Sequence, residues 1–204
     1  AALIGEFPVG RVFCVGRNYA EHAREMGADP DAEPPFFFMK PASVVTTAGE
    51  IRYPARTSDL HHEVELVVAL DGTEIVACGV GLDLTRRDLQ AGAKSRRHPW
   101  DAGKVFPDAA PCGALRAGAG PLQDRSRAIE LTVNGEQRQQ GRLDQLIHEV
   151  PRLLRELDAL FGLAAGDLLF TGTPAGVGPI HPGDRLVARI DGLPELVVTL
   201  QEPL

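Results

Sequence analysis

Glu63 and Glu65 stand two residues apart in the stretch HHEVELVVAL, residues 61–70. Val64, Leu66, Val67, Val68 and Leu70 around them are apolar and mostly β-forming, so residues 60–70 read as a strand. In a strand, residues i and i+2 share a face, which sets the two glutamate Cα atoms about 6.6–7 Å apart. Like charges placed so on a partly buried strand repel each other and lose hydration. A divalent cation between them makes the arrangement tolerable. Asp83 closes the apolar run in EIVACGVGLDLT, residues 74–85. It supplies a third carboxylate if that run folds back on 60–70 through a turn at Asp71-Gly72. Three hard oxygen donors with few nitrogen or sulfur partners suit Mg²⁺ or Mn²⁺, with Ca²⁺ a further candidate. Coordination positions remain for water or a chelating substrate. Spacing alone keeps another reading open, an edge strand whose charges face water and block aggregation. His61 falls on the same face, and an H-x-E-x-E row can take zinc. We read His61 instead as a capping or supporting residue.

His22 and Glu25 lie three apart in YAEHAREM, so on a helix they share a face. A carboxylate beside an imidazole orients it and raises its basicity, the logic of a water-activating pair. Taken alone, such a pair is usually a surface contact. The Gly-rich loop TGTPAGVGP, residues 171–179, has backbone N–H groups able to cradle an anion. It lacks the Gly-Lys-Ser/Thr ending of a nucleotide-binding loop. The G-x-G of GVGLD lies within a strand pattern and is not a dinucleotide fingerprint.

The elements that must hold these groups read as β-rich. The 204 residues, 44% hydrophobic and 24% charged, give ample length for a buried core. The net charge of -7 implies no general attraction to nucleic acid. No apolar run approaches the roughly 20 residues that span a bilayer. No signal-peptide pattern opens the sequence, and Cys14, Cys78 and Cys112 are an odd, widely spaced set. We therefore expect buried reduced thiols and a cytoplasmic protein. Short strands are expected at 11–16, 36–40, within 43–53, at 74–85 and after 166, with a type I′ hairpin at Asn134-Gly135. Helical stretches are expected at 19–27 and 86–95. One clear amphipathic helix is expected within 143–163, where Pro151 either kinks it or opens a second helix. Strands outnumber helices and do not alternate with them, which argues an α+β fold rather than a doubly wound sheet.

Seven motifs in order, from VFCVGRNYAEHAREMG through FFMKPAS, HHEVELVVAL, GLDLTRRDLQ, PWDAGKVF and VNGEQRQQG to FTGTPAGVGP, resemble the fumarylacetoacetate hydrolase family. The likeness runs from about residue 11 to about residue 200. It is nearest to the small single-domain branch of acylpyruvate hydrolases and oxaloacetate decarboxylases or tautomerases. The resemblance implies a mixed β-sandwich or roll with short peripheral helices, one catalytic domain over 1–204, a mobile lid around 19–35 hinged by the Pro-rich 29–35, and a homodimer. It implies Glu63, Glu65 and Asp83 as ligands of Mg²⁺ or Mn²⁺. His22 and Glu25 become the water-activating pair, and Lys104 the cation beside a developing pyruvate enolate. Arg17, Arg87, Gln90 and Thr173 become substrate contacts, with Arg87 alternatively supporting the site from behind. The implied substrate is a small 2-oxo acid. Hydrolysis of acylpyruvates leads, oxaloacetate decarboxylation or tautomerisation follows, and a noncatalytic metal- or keto-acid-binding protein is the third reading.

Overall fold

The structure is a computed structural model and describes residues 3–25, 27 and 34–203. At its centre is the hairpin that carries the carboxylates. Val64–Asp71 and Glu74–Leu82 pair antiparallel, Val64 opposite Leu82 and Glu65 opposite Gly81. Every residue from Val64 to Leu70 is buried, because both faces of this hairpin are covered and no polar alternation is needed.

A six-stranded mixed sheet is built around it. The order is Arg116–Ala117, Glu74–Leu82, Val64–Asp71, Leu168–Phe170, Arg11–Gly16 and Phe36–Pro41. Leu168–Phe170 runs parallel to Arg11–Gly16 and antiparallel to Val64–Asp71. A five-stranded sheet packs on the hairpin through Ala128–Val133 and Arg185–Ile190. Its order is Glu136–Arg142, Ala128–Val133, Arg185–Ile190, Leu196–Gln201 and Glu50–Arg52. Ile129, Leu131 and Val133 turn inward while their neighbours are half-exposed, the alternation of a sheet with one wet face. The expected turn is present, with φ of +54° at Asn134 and +84° at Gly135, the two positive values of a type I′ hairpin.

Two of the expected strands are divided. The run over 60–70 breaks at Glu63, between Leu60–His62 and Val64–Asp71. The run over 74–85 ends at Leu82, and Thr85–Arg86 pairs afresh with Leu60–His62. Leu60–His62 belongs to a third, three-stranded sheet with Thr85–Arg86 and Gly178–Ile180. Both chain segments therefore leave one sheet for another at the same point. Glu63 and Asp83 are the residues at that corner, joined by Asp83 N–H donating to Glu63 O at 2.9 Å.

The amphipathic stretch within 143–163 is likewise not one helix. It is a 3₁₀ turn, Leu143–Gln145, followed after an extended step by the helix Val150–Phe161. Pro151 sits in the first turn, where no amide donor is required, whereas inside a continuous helix its ring would strike the preceding turn. The helix buries Val150, Leu153, Leu154 and Leu157, and leaves Leu160 and Phe161 exposed. Arg11 closes its end, donating to Phe161 O and Gly162 O while also pairing with Asp167. The helical stretch of 19–27 is Ala20–Glu25. Most of the expected hinge at 29–35 lies outside the described residues. Cys14, Cys78 and Cys112 are buried and form no disulfide. Among the described residues no helix is long and apolar enough to cross a membrane.

Candidate active site

Glu63, Glu65 and Asp83 converge because the hairpin register aligns them. Glu65 follows Glu63 by two and Asp83 lies opposite Glu63, so all three face one side. One carboxylate oxygen from each lies within 4.8 Å of the others, and all three residues are buried.

Two lysines and an arginine surround the cluster. Lys104 Nζ donates to Glu63 Oε2 at 2.9 Å and to Asp83 Oδ2 at 2.7 Å. Lys40 Nζ lies 2.7 Å from Asp83 Oδ1 while donating to the carbonyls of Leu84 and Ala109. That ionic contact is poorly directed, and Asp83 Oδ1 accepts no hydrogen bond. Arg87 donates to Glu63 Oε1 and to Gln90 Oε1. His61 stands behind it, with one ring nitrogen on Asp59 and the other facing Arg87 Nε. It supports the arginine and is not one of the converging groups, so the H-x-E-x-E row does not form a zinc site.

Burial would raise the Glu63 carboxyl, but Lys104 and Arg87 overcome it and hold the group far below the usual carboxylate range. Burial likewise opposes the Lys104 charge, and Asp83 with Glu63 outweighs it, keeping the ammonium protonated. Glu65 is the counterpart. Burial first, then the nearby Asp83 and Glu63, push its carboxyl well up. The Gly172 N–H, donated to Oε2 at 2.8 Å, and the charge of Lys104 oppose this rise. Gly172 has φ of +100°, and a Cβ there would stand 2.6 Å from Asn18 Cβ. Glycine is what lets that N–H reach the carboxylate. The crowded Glu65 and the all-oxygen donor set fit a Mg²⁺ or Mn²⁺ ion.

One cavity contains nine of the ten candidate residues. Arg17, His22, Arg87, Gln90, Lys104 and Thr173 line it together with the three carboxylates. Glu25, the tenth, is joined to it through His22, whose Nδ1 lies 3.2 Å from Glu25 Oε2. A carboxylate only accepts, so Nδ1 carries a proton and donates it to Glu25 Oε2. Lys104 reaches the cavity because the short helix Asp101–Lys104 packs backbone to backbone on the helix Arg87–Arg96. Gly103 permits this approach, since a Cβ would meet Gln90 Cβ at 2.8 Å. Arg17 takes the left-handed conformation with φ of +58°, a strained choice for a residue with a side chain.

Thr173 is held by a group the sequence did not single out. Gln139 Nε2 donates to Thr173 Oγ1 at 2.7 Å, and Gln139 Oε1 accepts from Val64 N–H and contacts His62 Nδ1. Burial holds His62 down to about 4, so it is neutral and donates through Nδ1. With Thr173 Oγ1 accepting, its own proton is available to the cavity. Lys40 and Lys94 were missed as well. The signal for Lys40 was a lysine inside the apolar strand FFFMKP. No comparable signal marks Lys94 within a helix rich in charge.

Fold and site together define a strand-rich α+β protein with a buried carboxylate triad suited to a divalent metal. The fumarylacetoacetate (FAA) hydrolase C-terminal model matches residues 11–201, and the chain belongs to that family. It is 37% identical over 199 residues to oxaloacetate tautomerase YcgM of Escherichia coli (strain K12), covering 92% of this chain and 91% of that one. It is 35% identical over 184 residues to a fumarylpyruvate hydrolase of Ralstonia sp, covering 84% and 95%. Among solved structures, a fumarylpyruvate hydrolase from Pseudomonas aeruginosa in complex with Mn²⁺ and pyruvate is 45% identical with a TM-score of 0.92, covering 96% of this chain and 91% of that one.

Proposed function

We propose that this chain is a metal-dependent enzyme that hydrolyses the C–C bond of acylpyruvate-type 2,4-dioxo acids, fumarylpyruvate-like compounds among them. The observation that carries the reading is His22, paired with Glu25, lining the same cavity as the carboxylate triad. Decarboxylation and tautomerisation need no attacking water, and a water-activating pair is what hydrolysis adds.

Glu63, Glu65 and Asp83 would hold the Mg²⁺ or Mn²⁺ ion. Such an ion acts as a Lewis acid toward the 2-oxo acid and lowers the cost of negative charge on its oxygen. Thr173, Arg87 and Arg17 bind and orient the substrate carboxylate, with Gln90 fixing Arg87. Water attacks the acyl carbonyl carbon while His22 Nε2 takes its proton and Glu25 stabilises the imidazolium. The bond between that carbon and the adjacent CH₂ breaks, and its electron pair passes to the pyruvate fragment as an enolate. The acyl fragment leaves as a carboxylic acid. Lys104 places an ammonium beside the developing enolate, and the proton held by His22 passes to the CH₂ carbon to give pyruvate. The family resemblance supports a single catalytic domain with a lid over 19–35 and a homodimer in solution. The buried thiols support a reducing compartment such as the cytoplasm.

A second reading, action on oxaloacetate, is favoured by the likeness to an oxaloacetate tautomerase. One comparison decides between them. Wild type and His22→Ala are assayed with Mg²⁺ against acetylpyruvate, fumarylpyruvate and oxaloacetate. Hydrolysis should fall about a hundredfold or more in His22→Ala, with oxaloacetate decarboxylation less affected. Rapid oxaloacetate turnover by the wild type, without acylpyruvate hydrolysis, would replace the first reading with the second.

A further inference from the structure

Lys94 lies in the last turn of the Arg87–Arg96 helix and lines the same cavity. Its Nζ stands 4.7 Å from the centre of the Trp100 ring. Trp100 in turn meets Phe36 edge-on at 5.0 Å and Phe38 at 5.9 Å. These three rings form an aromatic wall beside the carboxylate cluster, and the wall keeps the Lys94 head at the cavity rather than in open water.

Three of the other cations near the cluster pair with its carboxylates. Lys104 serves Glu63 and Asp83, Arg87 serves Glu63, and Lys40 serves Asp83. Among the described residues Lys94 has no such partner, and its contact is the indole face. Burial, then Arg87 and Arg17, press its ammonium down to about 8. A cation so crowded by like charge, on the wall of the cavity that holds the carboxylate triad, is relieved by an incoming anion. The carboxylate triad and a divalent ion already account for one end of a 2-oxo acid. Lys94 follows Arg87 by seven residues in the helix Arg87–Arg96, about 10 Å further along its axis, so its charge stands at a different point of the lining.

We propose that Lys94 recognises a second carboxylate at the far end of the substrate, so that the cavity selects two-carboxylate 2-oxo acids over those with one. The inference rests on the reading that a 2-oxo acid occupies the cavity. Within it, Lys94 is a specificity residue and takes no part in bond cleavage. The aromatic wall fixes where its charge is presented.

The test uses the Mn²⁺-loaded protein and two inert probes. 2-Oxoglutarate carries a distal carboxylate, and 2-oxopentanoate carries a methyl group in its place. Titration calorimetry on the wild type should show 2-oxoglutarate binding at least about tenfold tighter, the scale of one charge-assisted contact. Lys94→Met should bring the two affinities within about twofold, by weakening 2-oxoglutarate alone. Lys94→Arg should keep most of the preference. Unchanged 2-oxopentanoate binding in Lys94→Met shows that the site is intact. No preference in the wild type, an undiminished preference in Lys94→Met, or equal loss of both ligands would each overturn the proposal. Turnover is read separately. A wild type that shows this binding pattern but hydrolyses no acylpyruvate refutes the hydrolase reading and leaves the role of Lys94 standing.

Discussion

Lys40 Nζ lies 2.7 Å from Asp83 Oδ1, and both residues are buried. The lysine also donates to the carbonyls of Leu84 and Ala109, the segments on either side of the Lys104 helix. A buried lysine is tolerated only where charge and hydrogen bonds are both matched. Asp83 therefore has one lysine on each oxygen, Lys40 behind and Lys104 in the cavity.

Removing the rear lysine leaves a buried carboxylate facing two others with less compensation. Lys40→Met should destabilise the metal-free protein by about 3–5 kcal/mol. Saturating Mn²⁺ replaces part of the lost positive charge, so the drop in melting temperature should be smaller with metal than with EDTA. Equal drops under both conditions, read by scanning calorimetry, would place the effect of Lys40 in packing alone.

Glu65 gives the opposite sign. Burial and two neighbouring carboxylates push its carboxyl well up, so its charge costs stability when no cation is present. Glu65→Gln keeps an oxygen for the Gly172 N–H and removes the like charge. The metal-free variant should melt at or above the wild-type temperature, while its Mn²⁺ affinity falls at least about tenfold. Wild type should gain about 2.7 kcal/mol at a Mn²⁺ concentration of 100 times Kd, and the variant should gain less at the same concentration. Undiminished Mn²⁺ affinity in Glu65→Gln would remove Glu65 from the ligand set.

Much of this site is legible before folding because its parts obey local periodicities. The i, i+2 rule puts Glu63 and Glu65 on one face, and the i, i+3 rule pairs His22 with Glu25. The hairpin through Gly72 brings Asp83 beside them. What local rules miss is the change of sheet at Glu63 and Asp83, since nothing in HHEVELVVAL marks a break. Pro151 did carry its signal, and the helix starts there. Lys40 and Gln139 were hidden for a different reason. Each reaches the site across distant chain, 69 residues from Lys40 to Ala109 and 77 from Gln139 to His62. Such pairings depend on sheet packing, which spacing within one segment does not encode.

The pH dependence of ligand choice follows from Lys94. Burial, Arg87 and Arg17 lower its ammonium to about 8, from an ordinary value near 10.4. The charged form is the one that binds a carboxylate, and it is lost as pH rises through the lowered value. Lys104 presses in the same direction and Glu63 opposes it. The wild-type preference for 2-oxoglutarate over 2-oxopentanoate should therefore shrink between about pH 7 and pH 9. Lys94→Met should show a flat ratio over that range. A wild-type ratio that stays constant to pH 9 would mean that a different cation holds the distal carboxylate.

Gln139 ties the glutamate strand to the loop that carries Thr173. Its carbonyl accepts from Val64 N–H, next to both glutamates, and its amide donates to Thr173 on the opposite loop. That donation turns the Thr173 hydroxyl into a donor toward the cavity. Thr173→Val deletes the hydroxyl and should lower kcat/KM about tenfold, the worth of one hydrogen bond to a charged substrate group. Gln139→Leu leaves the hydroxyl in place but free to rotate, and should cost a similar factor. If Gln139 acts through Thr173, the double variant should be little worse than Thr173→Val alone. Gln139→Leu also leaves Val64 N–H and the His62 ring N–H unpaired in the interior, so its melting temperature should fall well below that of Thr173→Val. Fully additive losses in kcat/KM would show that Gln139 acts on the glutamate strand instead, through Val64.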